Sequence, residues 1–424
     1  MLKIQNIEKD TEKIAQQLKS RGLTSVVKLL DEVKILNTNR KATQKALENQ
    51  THQLKAQTAK IAQQLKGQSH HKASVVALKA QLLTTKADYK EKQDRLKQYE
   101  KELRDKLAQL PNIPLASVPI GQSAADNKII KTWQPTSLPK GTPLPHWELV
   151  KKYDIIDFAA GNKITGAGFP VYKGKGAQLQ RALINFFLAE AAKQGYQEMA
   201  PPLLTNQDSA FGTGQLPDKE GMIYTLREED LYLIPTAEVP LTNLYRDTIL
   251  EEKDLPIKLA AYTPCFRREA GSWGRHVRGL NRLHQFDKVE LVQIVTPAQY
   301  EIALQNMCTH VEKLLQALGL RYRIVQLCTG DLGFTAAITY DFEVWSPGQK
   351  QWLEVSSVSC FTTYQALRLQ LRYKTPQGKQ YCYTLNGSAL ALPRILSGLL
   401  ETYQTPTGIE LPKVLYPYTS FQAI

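Results

Sequence analysis

The strongest constraint on this chain is a long, basic segment that lacks the residues that end helices. Residues 27–107 contain no proline and a single glycine, and they carry 18 Lys/Arg against 9 Asp/Glu, a net charge of 18 − 9 = +9. Apolar side chains recur there every seven residues on either side of a break at residues 67–71: Leu47, Leu54 and Ile61, then Leu82, Tyr89, Leu96, Leu103 and Leu110. This period predicts a long antiparallel helical hairpin of the coiled-coil type. Each helix, with some 35 residues, would be roughly 50 Å long and would project as an arm.

The seam of this hairpin is weak, because Thr51, Thr58, Thr85 and Lys92 interrupt the apolar stripe. Its outer faces are rich in lysine. Two interpretations follow: an interaction coiled coil with solvated lysine faces, or an arm that binds the RNA backbone. The segment alone leaves both open.

Length and composition limit the class of protein. A chain of 424 residues favours two domains, and a net charge of +14 with a pI near 9.3 favours a polyanionic partner. No stretch approaches the roughly 20 uninterrupted apolar residues of a membrane helix. The N-terminus mixes Asp and Glu with Lys and lacks the apolar core of a secretory signal. We therefore expect a cytoplasmic protein without a membrane partner.

Common metal and nucleotide motifs do not account for the chain. Its five cysteines show no CxxC spacing, which argues against a disulfide framework and a four-thiolate zinc site. His276, His284 and His310 lack paired metal spacing, and His70-His71 is interpreted as a solvated hairpin turn. No phosphate loop GxxxxGK[ST], dinucleotide fingerprint or HExxH occurs. Any phosphate must be bound in another way.

Proline and glycine mark the end of the arm. Pro111-Asn112-Ile113-Pro114 and Pro119-Ile120-Gly121 end the helical pattern and open a linker. We therefore predict an arm at residues 1–110, a linker at 111–145 and a second domain at 146–424.

The second domain mixes helical and strand patterns. Residues 178–194 are helical in pattern, whereas 338–345 and 351–358 are strand-like and flank the turn Ser346-Pro347-Gly348-Gln349. Hairpins of this kind predict an α+β domain, with a mostly antiparallel sheet flanked by helices.

Arginines beside carboxylates are the candidates for phosphate chemistry. Phe266-Arg267-Arg268-Glu269 precedes a Gly- and Arg-rich loop at 270–279, and His284-Gln285-Phe286-Asp287-Lys288-Val289-Glu290 follows it. Two strands joined by a loop would place alternate side chains on one face. Arg267 and Glu269 would then point together, as would Phe286, Lys288 and Glu290.

Each of these residues also has an ordinary structural interpretation. Arg267 and Glu269 could form a surface ion pair, and Phe286 could be a core aromatic. Glu354 could be a solvated strand residue, and Ser388 a turn residue. Only their joint order along the chain favours a site.

That order resembles the class II aminoacyl-tRNA synthetases, and within them the seryl-tRNA synthetases. The 266–290 segment is similar to motif 2, Gly195-Tyr196 through Pro202 to motif 1, and Leu385-Asn386-Gly387-Ser388 through Arg394 to motif 3. Thr236-Ala237-Glu238, the loop 212–217 and Glu354-Val355-Ser356-Ser357 resemble seryl-specific signatures. The resemblance covers the whole chain, including the arm, which in that family grips the long variable arm of serine tRNA.

The resemblance implies roles for individual residues. Arg267 would hold the α-phosphate of ATP, Arg394 its γ-phosphate, and Phe286 its adenine. The full set implied for ATP is Arg267, Arg268, Glu269, Phe286, Glu354, Val355, Ser356, Ser357 and Arg394. Glu354 and Ser357 would ligate Mg²⁺, and Arg275 and Arg278 would contact the tRNA acceptor end.

L-Serine is the implied amino acid, bound by Thr236, Glu238, Glu290 and Ser388. A site that hydrogen-bonds a hydroxyl rejects alanine because the buried polar groups would be left unpaired. The implied reaction forms seryl-adenylate and pyrophosphate from ATP, then transfers the seryl group to the 3′ end of serine tRNA, with selenocysteine tRNA left open as a second substrate. Motif 1 implies a homodimer.

The sequence departs from the family where SSCSN is usual, because it has Ser356-Ser357-Val358-Ser359-Cys360. We expect an amide to be missing from a site wall at Cys360. The segment 364–368 also lacks one arginine that is expected there. Two rival functions remain: a ligase that loads serine or another small amino acid onto a different carrier, and a non-catalytic RNA-binding protein. The basic arm disfavours the first, and retained ATP ligands disfavour the second.

Overall fold

The computed structural model describes residues 1–66, 72–136, 143–218, 220–269 and 278–424. The chain divides into two compact units. The first comprises Leu2–Lys19 and Leu23–Leu110, and the second comprises Met1, Ser20–Gly22 and Pro111–Ile424. None of the helices in these described ranges is long and apolar enough to cross a membrane.

The first unit is built from four helices: α1 Ile4–Lys9, α2 Thr11–Lys19, α3 Val26–Lys66 and α4 Lys72–Ala108. At 1.5 Å per residue, the 41 residues of α3 extend about 60 Å. The two long helices are antiparallel, because Glu32 near the start of α3 pairs with Lys106 near the end of α4, and Gln50 farther along α3 donates to Asp88. The predicted antiparallel hairpin is therefore confirmed. The break predicted at 67–71 lies outside the described residues.

Burial along the hairpin is uneven. Leu30 near the start of α3 and Leu103 and Leu107 near the end of α4 are buried, whereas the seam is only half-buried toward residues 54 and 82. Polar side chains take its place there, as where Gln57 donates to Thr85 at 3.4 Å. The interrupted stripe thus gives a narrow interface, as the sequence predicts.

Two short helices that the sequence analysis did not predict, α1 and α2, pack against α3. Ile7 of α1 and Leu18 of α2 are fully buried against α3. Glu8 also accepts hydrogen bonds from Asn37 at 2.6 Å and from Lys41 at 3.0 Å. The first helix of the hairpin is therefore held by a small three-helix core.

The second unit is organised by an eight-stranded sheet in the order β1-β10-β11-β12-β15-β9-β8-β4, in which every neighbouring pair is antiparallel except β4 with β8. Its strands are β1 Lys128–Trp133, β4 Gln197–Glu198, β8 Ile257–Phe266, β9 Gln285–Val295, β10 Tyr322–Gln326, β11 Ile338–Ser346, β12 Gln351–Thr362 and β15 Tyr383–Ala391. The predicted α+β class with a mostly antiparallel sheet is confirmed.

Shorter strands form three small sheets. They are β2 Ile156–Asp157 with β3 Val171–Tyr172, β5 Leu204–Asn206 with β6 Leu231–Leu233, and β14 Gly378–Tyr381 with β13 Arg372–Thr375 and β7 Ile249–Glu251. The helices of this unit are α5 His146–Lys152, α6 Phe158–Ile164, α7 Lys175–Lys193, α8 Gln207–Thr213, α9 Glu238–Asn243, α10 Tyr300–Ala317, α11 Tyr364–Leu369 and α12 Leu392–Tyr403.

The main core lies between the sheet and α7, α10 and α12. Phe187 of α7, Val311 of α10 and Leu396 of α12 are buried in one apolar cluster with Val289 and Leu291 of β9. Alternate residues of β9 therefore face these helices, and the residues between them face the other side of the sheet. That other side carries the pocket described below.

The segment predicted as a linker, 111–145, belongs to the second unit in its described residues. Its residues 128–133 form the edge strand β1, which pairs with β10. The buried side chain of Asn112 donates to the carbonyls of Thr335 at 2.9 Å and Phe361 at 2.8 Å. The second compact unit thus includes the chain from Pro111 onward.

Candidate active site

A cavity of about 660 Å³ opens on the sheet face that is not covered by α7, α10 and α12. It is lined by residues of the connection between β8 and β9, by residues of β9, β12 and β15, and by residues at the start of α12. Twelve of the sequence-predicted site residues lie in its wall: Thr236, Glu238, Arg267, Glu269, Phe286, Glu290, Glu354, Val355, Ser356, Ser357, Ser388 and Arg394. The fold thus brings together segments that are up to about 160 residues apart in the sequence.

Arg267 and Phe286 form the aromatic part of this wall. The guanidinium carbon of Arg267 lies 5.2 Å from the centre of the Phe286 ring, a cation–π distance. The Nε of Arg267 donates to the carbonyl of Pro235 at 3.4 Å. Phe286 lies on β9, as predicted.

The prediction that Arg267 and Glu269 alternate on one strand is wrong, because β8 ends at Phe266. Glu269 instead has a φ of 48°, in the left-handed region, which turns the backbone out of the strand. Its carboxylate forms an ion pair with Arg282. Both side chains still reach the pocket, but by a turn rather than by strand alternation.

A buried polar cluster forms the floor of the pocket. The hydroxyl of Thr236 donates to Glu290 at 3.0 Å and accepts from Lys288 at 3.0 Å. Lys288 also forms an ion pair with Glu290. All three residues are at most 6% exposed. The opposite charges of Lys288 and Glu290 compensate each other within the cluster.

Glu238 lies beside this cluster and is fixed by two amides. Gln365 donates to one carboxylate oxygen at 2.6 Å and Asn386 to the other at 2.7 Å. Burial and the neighbouring Glu290 raise the pKa of Glu238 to about 7, although the hydrogen bond from Gln365 lowers it. The floor therefore contains a carboxyl group that changes charge near neutral pH.

Arg394 is held at the opposite part of the wall. Its Nη1 donates to the carbonyl of Glu354 at 2.7 Å, and its Nε donates to the carbonyl of Asn281 at 3.0 Å. Its guanidinium also lies 3.8 Å from the carboxylate of Glu354. These contacts orient one cation beside one half-exposed carboxylate.

Asp341 was missed by the sequence analysis, yet it pairs in register with Ser357 on the neighbouring strand. Burial and the charge of Glu354 raise the pKa of Asp341 well above its ordinary value, and a hydrogen bond from Ser357 opposes this shift. Within the described ranges its Oδ1 is buried without a hydrogen-bond partner. A buried carboxylate oxygen of this kind fits a cation that the neighbouring oxygens could share.

Cys360 does not lie in the wall of the pocket, which contradicts the sequence expectation. On β12 the side chains of Ser357, Ser359 and Phe361 line the cavity, whereas Cys360 is fully buried in the main core. The alternation of strand residues places it on the opposite face. The difference from the family pattern at Cys360 therefore affects the packing of the core and not the wall of the pocket.

Three predicted arginines lie elsewhere or outside the described residues. Arg268 does not line the cavity, and its backbone N–H donates to Met222. Arg278 lies 4.7 Å from the ring centre of Trp147 and 3.6 Å from Glu148. Arg275 lies outside the described residues.

The structure adds pocket residues to which the sequence analysis gave no role: Lys288, Asn386, Asn281, Arg282, Thr339 and Ser359. Strand alternation had already placed Lys288 on one face with Phe286 and Glu290, and it could likewise have identified Asn386, which lies two residues before Ser388 on β15. Gln365, which supports Glu238, lies on α11 and carried no such signal.

Two family models match the chain. Residues 1–114 match the seryl-tRNA synthetase N-terminal domain, and residues 224–403 match the tRNA synthetase class II core domain (G, H, P, S and T). These matches cover both the helical hairpin and most of the pocket.

Three similar proteins extend the match over the full length. A serine–tRNA ligase of Akkermansia muciniphila is 46% identical over 99% of this chain and 97% of its own. The crystal structure of seryl-tRNA synthetase from Pyrococcus horikoshii complexed with ATP has a TM-score of 0.90 at 32% identity, covering 100% of this chain and 99% of that one. The cytoplasmic serine–tRNA ligase from Naegleria fowleri in complex with AMP has a TM-score of 0.84 at 28% identity, covering 100% and 98%.

Proposed function

The chain belongs to the seryl-tRNA synthetase family, and from this membership we propose that it activates L-serine with ATP and transfers the seryl group to serine tRNA. The observation that carries the proposal is the convergence of five separate sequence signatures on one cavity of about 660 Å³. The cavity combines a buried carboxylate and hydroxyl floor with arginines in its wall, which suits a small polar amino acid beside a polyphosphate.

We assign the serine subsite to Thr236, Glu238, Glu290 and Ser388. The carboxylates of Glu238 and Glu290 can accept hydrogen bonds from the ammonium and hydroxyl groups of serine. Lys288 and Asn386 already hold these carboxylates in place. Because these buried groups would lose partners when alanine enters, the site discriminates without a second, editing site.

We assign the ATP subsite to the rest of the wall. Arg267 holds the α-phosphate, Arg394 the γ-phosphate, and Phe286 the adenine ring. The proposed set also includes Arg268, Glu269, Glu354, Val355, Ser356 and Ser357. Of these, Arg268 acts from outside the described cavity wall. Guanidinium groups suit this work because they stay charged and bind phosphate oxygens in pairs.

The residues around Glu354 fit a magnesium ion. Glu354 and Ser357 offer a carboxylate and a hydroxyl oxygen. Asp341 pairs in register with Ser357, and its Oδ1 has no hydrogen-bond partner among the described residues. Among the residues that the structure describes, no group of three or more His, Cys, Asp and Glu side chains forms a metal cage. Mg²⁺ prefers oxygen ligands and readily shares them with substrate phosphates, whose negative charge it neutralises when bound.

The proposed chemistry needs no covalent enzyme nucleophile. Serine's carboxylate attacks the α-phosphorus of ATP and pyrophosphate leaves. A hydroxyl of the terminal ribose of tRNA then attacks the carbonyl carbon of seryl-adenylate, and AMP leaves. Arg267 stabilises the charge that develops at the α-phosphorus, and the floor holds serine in line with it.

We propose that residues 1–110 are the tRNA-binding arm and that Arg275 and Arg278 contact the acceptor end. The lysine-rich outer faces of α3 and α4 suit a phosphate backbone. We further propose a homodimer, in which the arm of one subunit serves the active site of the other, acting in the cytoplasm.

A charging assay tests this function. The protein should esterify tRNA with serine when unfractionated tRNA is supplied, and it should form no aminoacyl-tRNA with alanine, threonine or glycine. Charging of tRNA with another amino acid would reassign the serine subsite. Exchange activity without any charging of tRNA would favour a ligase that acts on a different carrier.

A further inference from the structure

The first turn of α5 holds the chain where it enters β9 from the motif 2 loop. His146 is fully buried, and its Nε2 accepts the backbone N–H of Leu280 at 2.8 Å. Gly279, with a φ of 68°, lies so close that an added Cβ would collide with this nitrogen. The next two residues of α5, Trp147 and Glu148, contact Arg278. Residues 278–280 are therefore held by three consecutive residues of one helix.

The hydrogen bonds fix the tautomer of His146. A backbone N–H is always a donor, so Nε2 must carry a lone pair and the proton must be on Nδ1. Nδ1 lies 3.0 Å from a carboxylate oxygen of Glu401 and 2.8 Å from the hydroxyl of Ser397. The carboxylate thus keeps the ring in the one neutral form that can accept from Leu280.

Glu401 is itself rigidly held. Its oxygens also accept the backbone N–H of His146 at 2.9 Å, the backbone N–H of Gly348 at 3.0 Å and the side-chain amide of Gln349 at 3.0 Å. Gln349 in turn accepts from the side chain of Asn281 at 2.7 Å. One buried carboxylate therefore supports both Leu280, through His146, and Asn281, through Gln349.

This support leads directly to the pocket. Leu280 and Asn281 line the cavity, and the carbonyl of Asn281 accepts the Nε of Arg394 at 3.0 Å. A shift of the backbone at residues 280–281 would therefore turn the guanidinium of Arg394 away from its present direction.

We propose that His146, in the tautomer that Glu401 imposes, is a positioning residue of the adenylation site that fixes residues 280–281 and thereby aims Arg394 at ATP. The inference rests on the proposed function, because it assigns Arg394 to a phosphate. It also predicts that the effect is confined to ATP, since in the described parts of the chain the side chains of Thr236, Glu238 and Glu290 have other hydrogen-bond partners: Lys288, Gln365 and Asn386.

Two variants of matched chemistry and different reach test the proposal. The amide of glutamine can reach the position of Nε2, whereas that of asparagine reaches only the position of Nδ1. In His146→Asn, the Leu280 N–H loses its acceptor, and we expect the KM for ATP in pyrophosphate exchange to rise roughly tenfold with an unchanged KM for serine. In His146→Gln, we expect both constants to stay within about threefold of wild type.

His310→Asn is the control, because His310 is a second buried histidine, on α10, and does not line the cavity. It should lower the unfolding temperature without changing the KM for ATP. Equal KM values for ATP in the two His146 variants, or a parallel rise for ATP and serine, would overturn the proposal.

Calorimetric titration with ATP separates this proposal from the proposed function. If wild type binds ATP but performs no serine-dependent exchange, the function fails. Weaker ATP binding by His146→Asn than by His146→Gln would still support the positioning role of His146, and equal binding would overturn it.

Discussion

Glu238 is the residue whose chemistry depends most on its surroundings. An ordinary glutamate is ionised at neutral pH, but burial and the neighbouring Glu290 raise the pKa of Glu238 to about 7. Gln365 and Asn386 keep the carboxylate in place in either state. The charge of Glu238 in the proposed serine subsite therefore depends on pH in the neutral range.

This dependence gives a measurable profile. Below the raised pKa Glu238 is protonated and attracts an ammonium group weakly, and above it the carboxylate is ionised. We expect kcat/KM for serine in pyrophosphate exchange to rise with pH and to level off above a pKa of about 7. In Glu238→Gln this inflection should disappear and the KM for serine should be higher at every pH. Glu228→Gln, at an exposed position, should keep the inflection; a flat wild-type profile would contradict the account.

Arg267 is expected to act on adenylate formation alone. Arg267→Ala should lower the rate of exchange by roughly 100- to 1,000-fold, because the charge developing at the α-phosphorus loses its main partner. Binding of tRNA, measured on filters, should be unchanged. Arg227→Ala, at an exposed position, is the control. Near-normal exchange by Arg267→Ala would contradict the motif 2 assignment.

Ser359 and Cys360 are neighbours that face opposite sides of β12. Cys360→Ala should cost about 1 kcal/mol of stability by opening a small core cavity, with the preference for serine over alanine unchanged. Ser359→Ala should change the kinetics of serine, since Ser359 lines the pocket and pairs in register with Asn386. A change of amino acid preference in Cys360→Ala, measured by exchange, would contradict this division.

Residue identities in the pocket could be predicted where motif order was informative, and twelve predicted residues do line it. Gln365 could not be predicted, because its role depends on Glu238, 127 residues away. Asp341 was missed although it lies in the predicted hairpin, because its role depends on the register that pairs it with Ser357. The turn at Glu269 was missed because the residue in the left-handed region is a glutamate, which gives no glycine signal in the sequence.

At the scale of elements, strong periodicity was sufficient to predict the hairpin α3–α4, whereas the weaker patterns of α1, α2 and β1 were not sufficient to predict those elements. The helices α1 and α2 have only 6 and 9 residues and depend on packing against α3. The strand β1 was assigned to a linker because five of its six residues are exposed and show no alternation of apolar side chains.

The lysine faces of the hairpin should govern tRNA affinity. Lys55, Lys60, Lys79 and Lys86 are exposed on α3 and α4. Replacing all four with glutamine should raise the KM for tRNA by at least tenfold at low salt and flatten the dependence of affinity on salt concentration.

Activation should be untouched in this variant, because exchange needs no tRNA. Replacing Lys379, which is exposed on β14, with glutamine gives a control of the same chemistry. Unchanged tRNA kinetics in the fourfold variant would favour the interpretation of the arm as a protein-interaction coiled coil.

At the scale of the molecule, each compact unit carries one part of the proposed work. The proposed amino acid and ATP subsites lie in the second unit, and the basic surface proposed to bind RNA lies in the first. Most of the net charge, +9 of +14, lies in residues 27–107, outside the pocket.

Serine-dependent exchange between ATP and pyrophosphate tests the central claim most directly, because it requires the pocket and no tRNA. Alanine, threonine, glycine and cysteine serve as competing amino acids. The account predicts exchange with serine alone. Exchange driven by another amino acid would contradict the assignment of Thr236, Glu238, Glu290 and Ser388 to serine, and the absence of any exchange would contradict the proposed catalytic function.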